Sequence, residues 1–153
     1  MAVQRQSRIT FIGMDIFSVN YSSQRPYDKV SEIKLEVVPK LFIPKNQSNN
    51  FHIIMDAIVQ SDGFFRIEVA AGGVFSLSED IDEKLRGIFM NQNAPAILFP
   101  YLRSFISTFT SGLGEATGTL ILPPQMFNGD LPVIEETKKV PARKKRISSK
   151  KED

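Results

Sequence analysis

The run IEVAAGGVFSL (67–77), with NAPAILFPYLRSFISTFTSG (93–112) and LILPPQMF (120–127) after it, decides the fold of this chain. The first run alternates with a period of two and then reaches the pair Gly72-Gly73. The second repeats its large apolar residues at intervals of three and four, the spacing of a helix. Ile97, Leu98, Tyr101, Leu102, Phe105, Ile106 and Phe109 fall on one broad stripe, with Ser104, Ser107, Thr108 and Ser111 opposite. Asn93 and Pro95 suit a helix start, and Gly112 is placed to stop it. Pro100 is the exception, because a proline past the first turn removes a backbone donor and costs a helix about 3 kcal/mol. It marks a fold-specific kink or a break. The third run holds too much proline for an interior strand.

Working outward, the upstream half reads as strands. Residues 8–21 are rich in β-branched and aromatic side chains, but the apolar parity changes: Ile12, Met14 and Ile16 share one phase, while Phe17, Val19 and Tyr21 share the other. A bulge near Gly13 or Ile16, or burial on both faces, accounts for the slip. Between residues 32 and 44, Ile33, Leu35, Val37, Leu41 and Ile43 alternate with Lys34, Glu36 and Lys40, and Pro39 predicts an edge position or a bend. Phe51, Ile53, Met55, Ala57 and Val59 form the apolar face of a third strand, and Ser61-Asp62-Gly63 is a hairpin signal. The return strand carries Phe65, Ile67, Val69 and Ala71 inward, with Arg66 and Glu68 outward and a bulge expected at Gly72-Gly73.

Downstream, Ser78-Glu79-Asp80 predicts the cap of a short helix reaching about Met90, broken by residues 91–93. Gly129 and Pro132 make any last helix short or broken. Four strands followed by helices predict an α+β domain, a four-stranded antiparallel sheet with helices on one face.

At 153 residues the chain suits one domain, taken as residues 1–137, with a basic tail at 138–153. Without cysteine, disulfides, zinc–thiolate sites and cysteine nucleophiles are excluded. The start MAVQRQSRIT lacks an apolar signal core and no apolar run is long enough to span a bilayer, so a cytoplasmic protein is expected. From Lys138 onward 8 basic residues face 2 acidic ones, which leaves 11 basic and 15 acidic residues in the body. The tail reads as a solvated, disordered terminus; contact with nucleic acid or an acidic surface is the alternative.

Nothing in the residues reads as catalysis. His52, the single histidine, stands in a strand beside no evident partner. Glu79, Asp80, Asp82 and Glu83 cluster where acidic residues stabilise a helix start, and no metal or cofactor is expected. Gly72-Gly73 lacks the lysine and following helix of a phosphate loop. The chain does carry 12 phenylalanines and no tryptophan, and its first strand is apolar on both faces. Surplus apolar surface of this kind fits a homo-oligomer interface or a groove that captures extended chains.

These residues resemble the SecB family of export chaperones. The resemblance rests on IEVAAGGVFSL, on NAPAILFPYLRSFIS with its glycine turn, and on LILPP with Phe127, supported by EIKLEV (32–37) and Asp15. It places Pro100 inside the family's long helix. It implies a dimer of dimers in which Ile67, Val69 and Ala71 serve a cross-subunit strand contact and Tyr101, Phe105 and Phe109 serve helix packing. The activity implied is ATP-independent binding of unfolded polypeptides, with Ile33, Leu35, Val37, Phe127 and Leu131 as groove residues. Asp15 and Glu68 match an acidic surface that meets the SecA translocase motor, whereas Arg66 and Val19 depart from that pattern. A chaperone dedicated to one client, such as an antitoxin, is the alternative within the family. A scaffolding or nucleic-acid-associated protein using the tail is the alternative outside it.

Overall fold

The computed structural model describes residues 8–45 and 49–134. The tail at 138–153 and the domain limit at 137 lie outside the described residues. Four long strands come first: β1 (Ile9–Ser23), β2 (Lys34–Phe42), β3 (Asn50–Ser61) and β4 (Phe65–Leu77). Helix α1 (Glu83–Ile88), a π-helical turn (Phe89–Asn93) and helix α2 (Ala94–Ser111) follow, and the two-residue strand β5 (Val133–Ile134) comes last. The sheet order is β1-β4-β3-β2-β5. Every pairing is antiparallel except that of β5 with β2, which is parallel. The α+β class therefore holds, with one amendment. The segment around Gly129 and Pro132, read as a short or broken helix, instead ends as a fifth strand.

The parity change in β1 has two causes rather than one. Pairing with β4 skips Ile12, between Phe11 and Gly13, and skips Phe17, between Ile16 and Ser18. Each bulge shifts the phase by one residue. Phe11, Met14, Ile16, Val19 and Tyr21 consequently all pair with β4 residues of one parity: Phe75, Gly73, Ala71, Val69 and Ile67. The surplus residues Ile12 and Phe17 are left outside, 61% and 59% exposed. No bulge falls in β4 itself, since Gly72 and Gly73 pair in register with Ile54 and Ile53 of β3.

The two glycines are needed for close approach. A β-carbon on Gly72 would lie 2.7 Å from ring atoms of Phe17, and one on Gly73 would lie 2.8 Å from Cδ1 of Leu98 on α2. Successive residues of a strand face opposite sides. The pair therefore admits Phe17 on the outer face and the helix on the inner one.

Between inner face and helix lies the core. Phe51, Ile53, Met55, Val59, Ile67 and Phe75 from the sheet meet Leu98, Leu102 and Ile106 from α2, all fully buried. Full burial of a side chain of this size contributes about 1.5–3 kcal/mol in transfer free energy. Phe51 stacks on Phe75 with ring centres 5.3 Å apart, and Phe11 leans on Phe75 at 5.2 Å.

Asp82, not Ser78, caps α1: its carboxylate accepts from the Leu85 amide at 2.8 Å. Residues 91–93 do not break the helical path, because the π-helical turn carries it from α1 into α2. Pro100 lies inside α2. It leaves the Ala96 carbonyl without its helical donor, and both residues lie on the exposed side of the helix. Gly112 caps α2 in right-handed conformation, and the chain first turns left-handed at Gly114 (φ 86°).

After the helix the chain runs extended and is tied back at both backbone atoms of one residue. The Leu120 amide donates to Thr110 Oγ1 at 2.9 Å, and its carbonyl accepts from Ser107 Oγ at 2.7 Å. Thr110 is buried and donates in turn to the Ile106 carbonyl at 2.8 Å. These bonds hold LILPP along the helix without a strand partner.

Candidate functional site

The five residues matched to a groove come from two segments and share one environment. Ile33, Leu35 and Val37 precede or lie on β2, Phe127 and Leu131 lie in the stretch before β5, and all five are half-buried and packed against the core. Their partial exposure follows from the layout. Helix α2 packs mainly over β1, β3 and β4, so the inner side of β2 depends on the extended chain for cover. Phe127 is fixed edge-on to Phe99 of α2 at 6.0 Å. Leu131 is fixed through its backbone, its amide donating to Asn91 Oδ1 at 2.8 Å. Asn91 sits in the π-helical turn and donates its Nδ2 to the Gly87 carbonyl at 2.9 Å, which orients the side chain.

A hollow of about 650 Å³ opens where α2 and the extended chain meet. Pro100, Arg103, Ser104, Ile121, Pro123 and Pro124 are among its lining residues. Ile121 is almost wholly exposed beside it.

The residues matched to subunit contacts divide. Ile67, Val69 and Ala71 are buried in the core, and both edges of β4 are already paired, with β1 and β3. Within this chain β4 has no edge to offer a second subunit. Among the described residues no strand pairs with the outer edge of β1 on that side. Tyr101, Phe105 and Phe109 lie along the same border. Tyr101 is 51% exposed and meets Phe11 of β1 with ring centres 4.7 Å apart. Phe109 stacks on Phe105 at 6.0 Å and meets Tyr21 of β1 edge-on at 6.2 Å. An aromatic seam therefore follows the outer β1 edge.

Asp15 and Glu68 both fall on the outer face, Asp15 opposite Gly72 and Glu68 opposite Asn20. Glu68 is held by Arg66, whose Nε donates to it at 2.9 Å while Nη1 donates to Gln60 at 2.8 Å. Val19 faces the helix side, opposite Val69, and adds nothing to that surface. His52 lies edge-on to Phe42 at 5.5 Å, and burial lowers its pKa against a weaker opposing pull from Asp15. Among the described residues no three metal-ligating side chains cluster, and no helix is long and apolar enough to cross a membrane.

The family model for the preprotein translocase subunit SecB matches residues 17–124. The chain belongs to the SecB family. A curated relative, an uncharacterized protein of Methanocaldococcus jannaschii, is 30% identical over 116 residues, covering 72% of this chain and 73% of that protein. The fold is similar to a solved structure, the Mycobacterium tuberculosis Rv1957 SecB-like chaperone in complex with a ChAD peptide from the Rv1956 HigA1 antitoxin. The TM-score is 0.62 at 15% identity, over 77% of this chain and 88% of that one. Membership supports a SecB-like chaperone role.

Some residues of this surface were not legible beforehand. Asn91 read only as a helix breaker, yet it clasps Leu131; Val133 and Ile134 carried no signal beyond two apolar letters. Ser107 stood on the polar side of the helix, where a clasp and a solvated face look alike, and Thr110, buried in line with Leu98, Leu102 and Ile106, was assigned to neither face.

Proposed function

We propose that this SecB-family chain is an ATP-independent holdase that binds unfolded polypeptides along β2 and the extended chain before β5, and keeps them competent for export. The observation that carries this reading is the half-buried apolar set Leu35, Val37 and Phe127 beside a sheet edge. Such a surface takes any apolar side chain of a flexible client, so selectivity is low. Substituting Val37→Asp places a charge on that surface without entering the fully buried core. Affinity for a reduced, alkylated protein, measured by titration calorimetry, then falls at least tenfold while the fold is kept. Unchanged affinity overturns the assignment of the groove.

Two finer points belong to the same reading. The outer edge of β1 and its aromatic seam are the surface through which subunits associate, as a dimer of dimers in the cytoplasm. Asp15 and Glu68 form the contact with SecA. A second reading, a chaperone dedicated to one antitoxin, is favoured by the antitoxin peptide in the structurally similar mycobacterial protein. Tight binding of one antitoxin without measurable SecA affinity selects it over export.

A further inference from the structure

The outer edge of β2 carries the backbone groups that a bound strand needs, and the chain itself occupies one end of that edge. In an antiparallel pair, a residue's N–H and C=O point to the same side of its strand, and this side alternates along the chain. Leu41 donates its amide outward, to the Pro132 carbonyl at 2.9 Å. Leu35 and Val37 share its parity, so their backbone groups also point away from β3, while their side chains face the groove. Pro39 falls on the same parity, which explains its tolerance: the missing N–H deprives the open edge, not the ladder to β3. Among the described residues no strand pairs with this edge over positions 34–40, and β5 pairs only at Leu41 and Phe42.

We propose that residues 131–134 are a resident competitor for the client, a strap that fills one end of the β2 edge and is displaced when an extended segment adds there. This rests on the chaperone reading above. The strap has the chemistry of its rival: an extended backbone bonded to the edge, with an apolar side chain, Leu131, packed at the groove. It is held weakly. Only two residues pair, Val133 and Pro132 are exposed, and Gly129 before them adopts φ 82°. Besides the packing of Leu131, its other anchor among the described residues is the Asn91 bond to the Leu131 amide. The open stretch 34–40 offers an added strand only the Leu35 and Val37 amides, since Pro39 has none, so an extended segment that bonds further along the edge must take the Leu41 amide from the strap, and the two compete.

Two variants act in opposite directions. Asn91→Leu keeps the side-chain size but cannot accept from Leu131, and affinity for a reduced, alkylated unfolded protein rises about threefold to tenfold, the worth of one hydrogen bond. The pair Phe42→Cys and Ile134→Cys, directly opposite in the ladder of a cysteine-free chain, locks the strap when oxidised. Affinity then falls at least tenfold and returns on reduction. Wild-type binding that neither variant changes, or weaker binding in Asn91→Leu with no redox effect in the locked pair, overturns the strap alone. Absence of binding by the wild type in the same titration overturns the chaperone reading and the strap with it.

Discussion

Leu98 of α2 stands over Gly73 of β4 so closely that a β-carbon there would lie 2.8 Å from Leu98 Cδ1 and 3.1 Å from Phe75 Cε2. The helix can approach the sheet only because that side chain is missing. Gly73→Val forces atoms into a packed core, where such insertions cost about 1–3 kcal/mol. A chemical-denaturation midpoint lowered accordingly is expected; an unchanged midpoint means that α2 does not rest on β4 as described.

Thr110 ties the extended chain to the helix. Thr110→Val keeps its shape but leaves the buried Leu120 amide without an acceptor. The expected loss is about 1–3 kcal/mol, together with faster proteolysis between residues 113 and 124. Stability within 0.3 kcal/mol or so of the wild type, well under the usual cost of an unsatisfied buried amide, counts against the clasp.

His52 gives stability a pH dependence of known sign. Burial disfavours its charged form and sets its folded-state pKa below the ordinary value of 6.5. The unfolded chain takes up that proton first. The contribution is therefore fully present above the unfolded value and is lost as pH falls through the folded one. Unfolding midpoints from pH 8 to pH 5 in wild type and His52→Gln test this, with the variant showing the shallower decline.

Much of this architecture was legible because burial and period coincide. The alternations in β3 and β4 each report one buried face, and the structure keeps both. β2 keeps its alternation up to Leu41 but leaves Ile43 exposed past the strand end, and α2 buries Phe99 from outside the predicted stripe while Tyr101 within it is exposed. β1 was harder: two bulges five residues apart make Ile12 and Phe17 look like members of apolar phases from which they are excluded. The continuous path from α1 to α2 was hidden because Asn91 and Asn93 suit a break and a π-helical turn equally. The groove was legible only as a resemblance, since partial burial of Leu35 or Val37 depends on where the helix stops covering the sheet. Nothing in a two-residue strand such as Val133-Ile134 distinguishes it from loop until its partner edge is known.

The basic tail separates the chaperone reading from a scaffolding or nucleic-acid role. Deleting residues 138–153 should leave the affinity for an unfolded protein within about twofold, because the chaperone reading assigns client binding to apolar side chains of β2 and of the chain before β5. Loss of the main function with the tail would transfer that function to the basic segment.

The most direct test of the central claim is the refolding of an unrelated denatured protein, followed without nucleotide in the presence of this chain. The account predicts delayed refolding at stoichiometric amounts, with the delay relieved by competing unfolded protein and weakened by Val37→Asp. Refolding at the unassisted rate, at concentrations up to tens of micromolar, would contradict it.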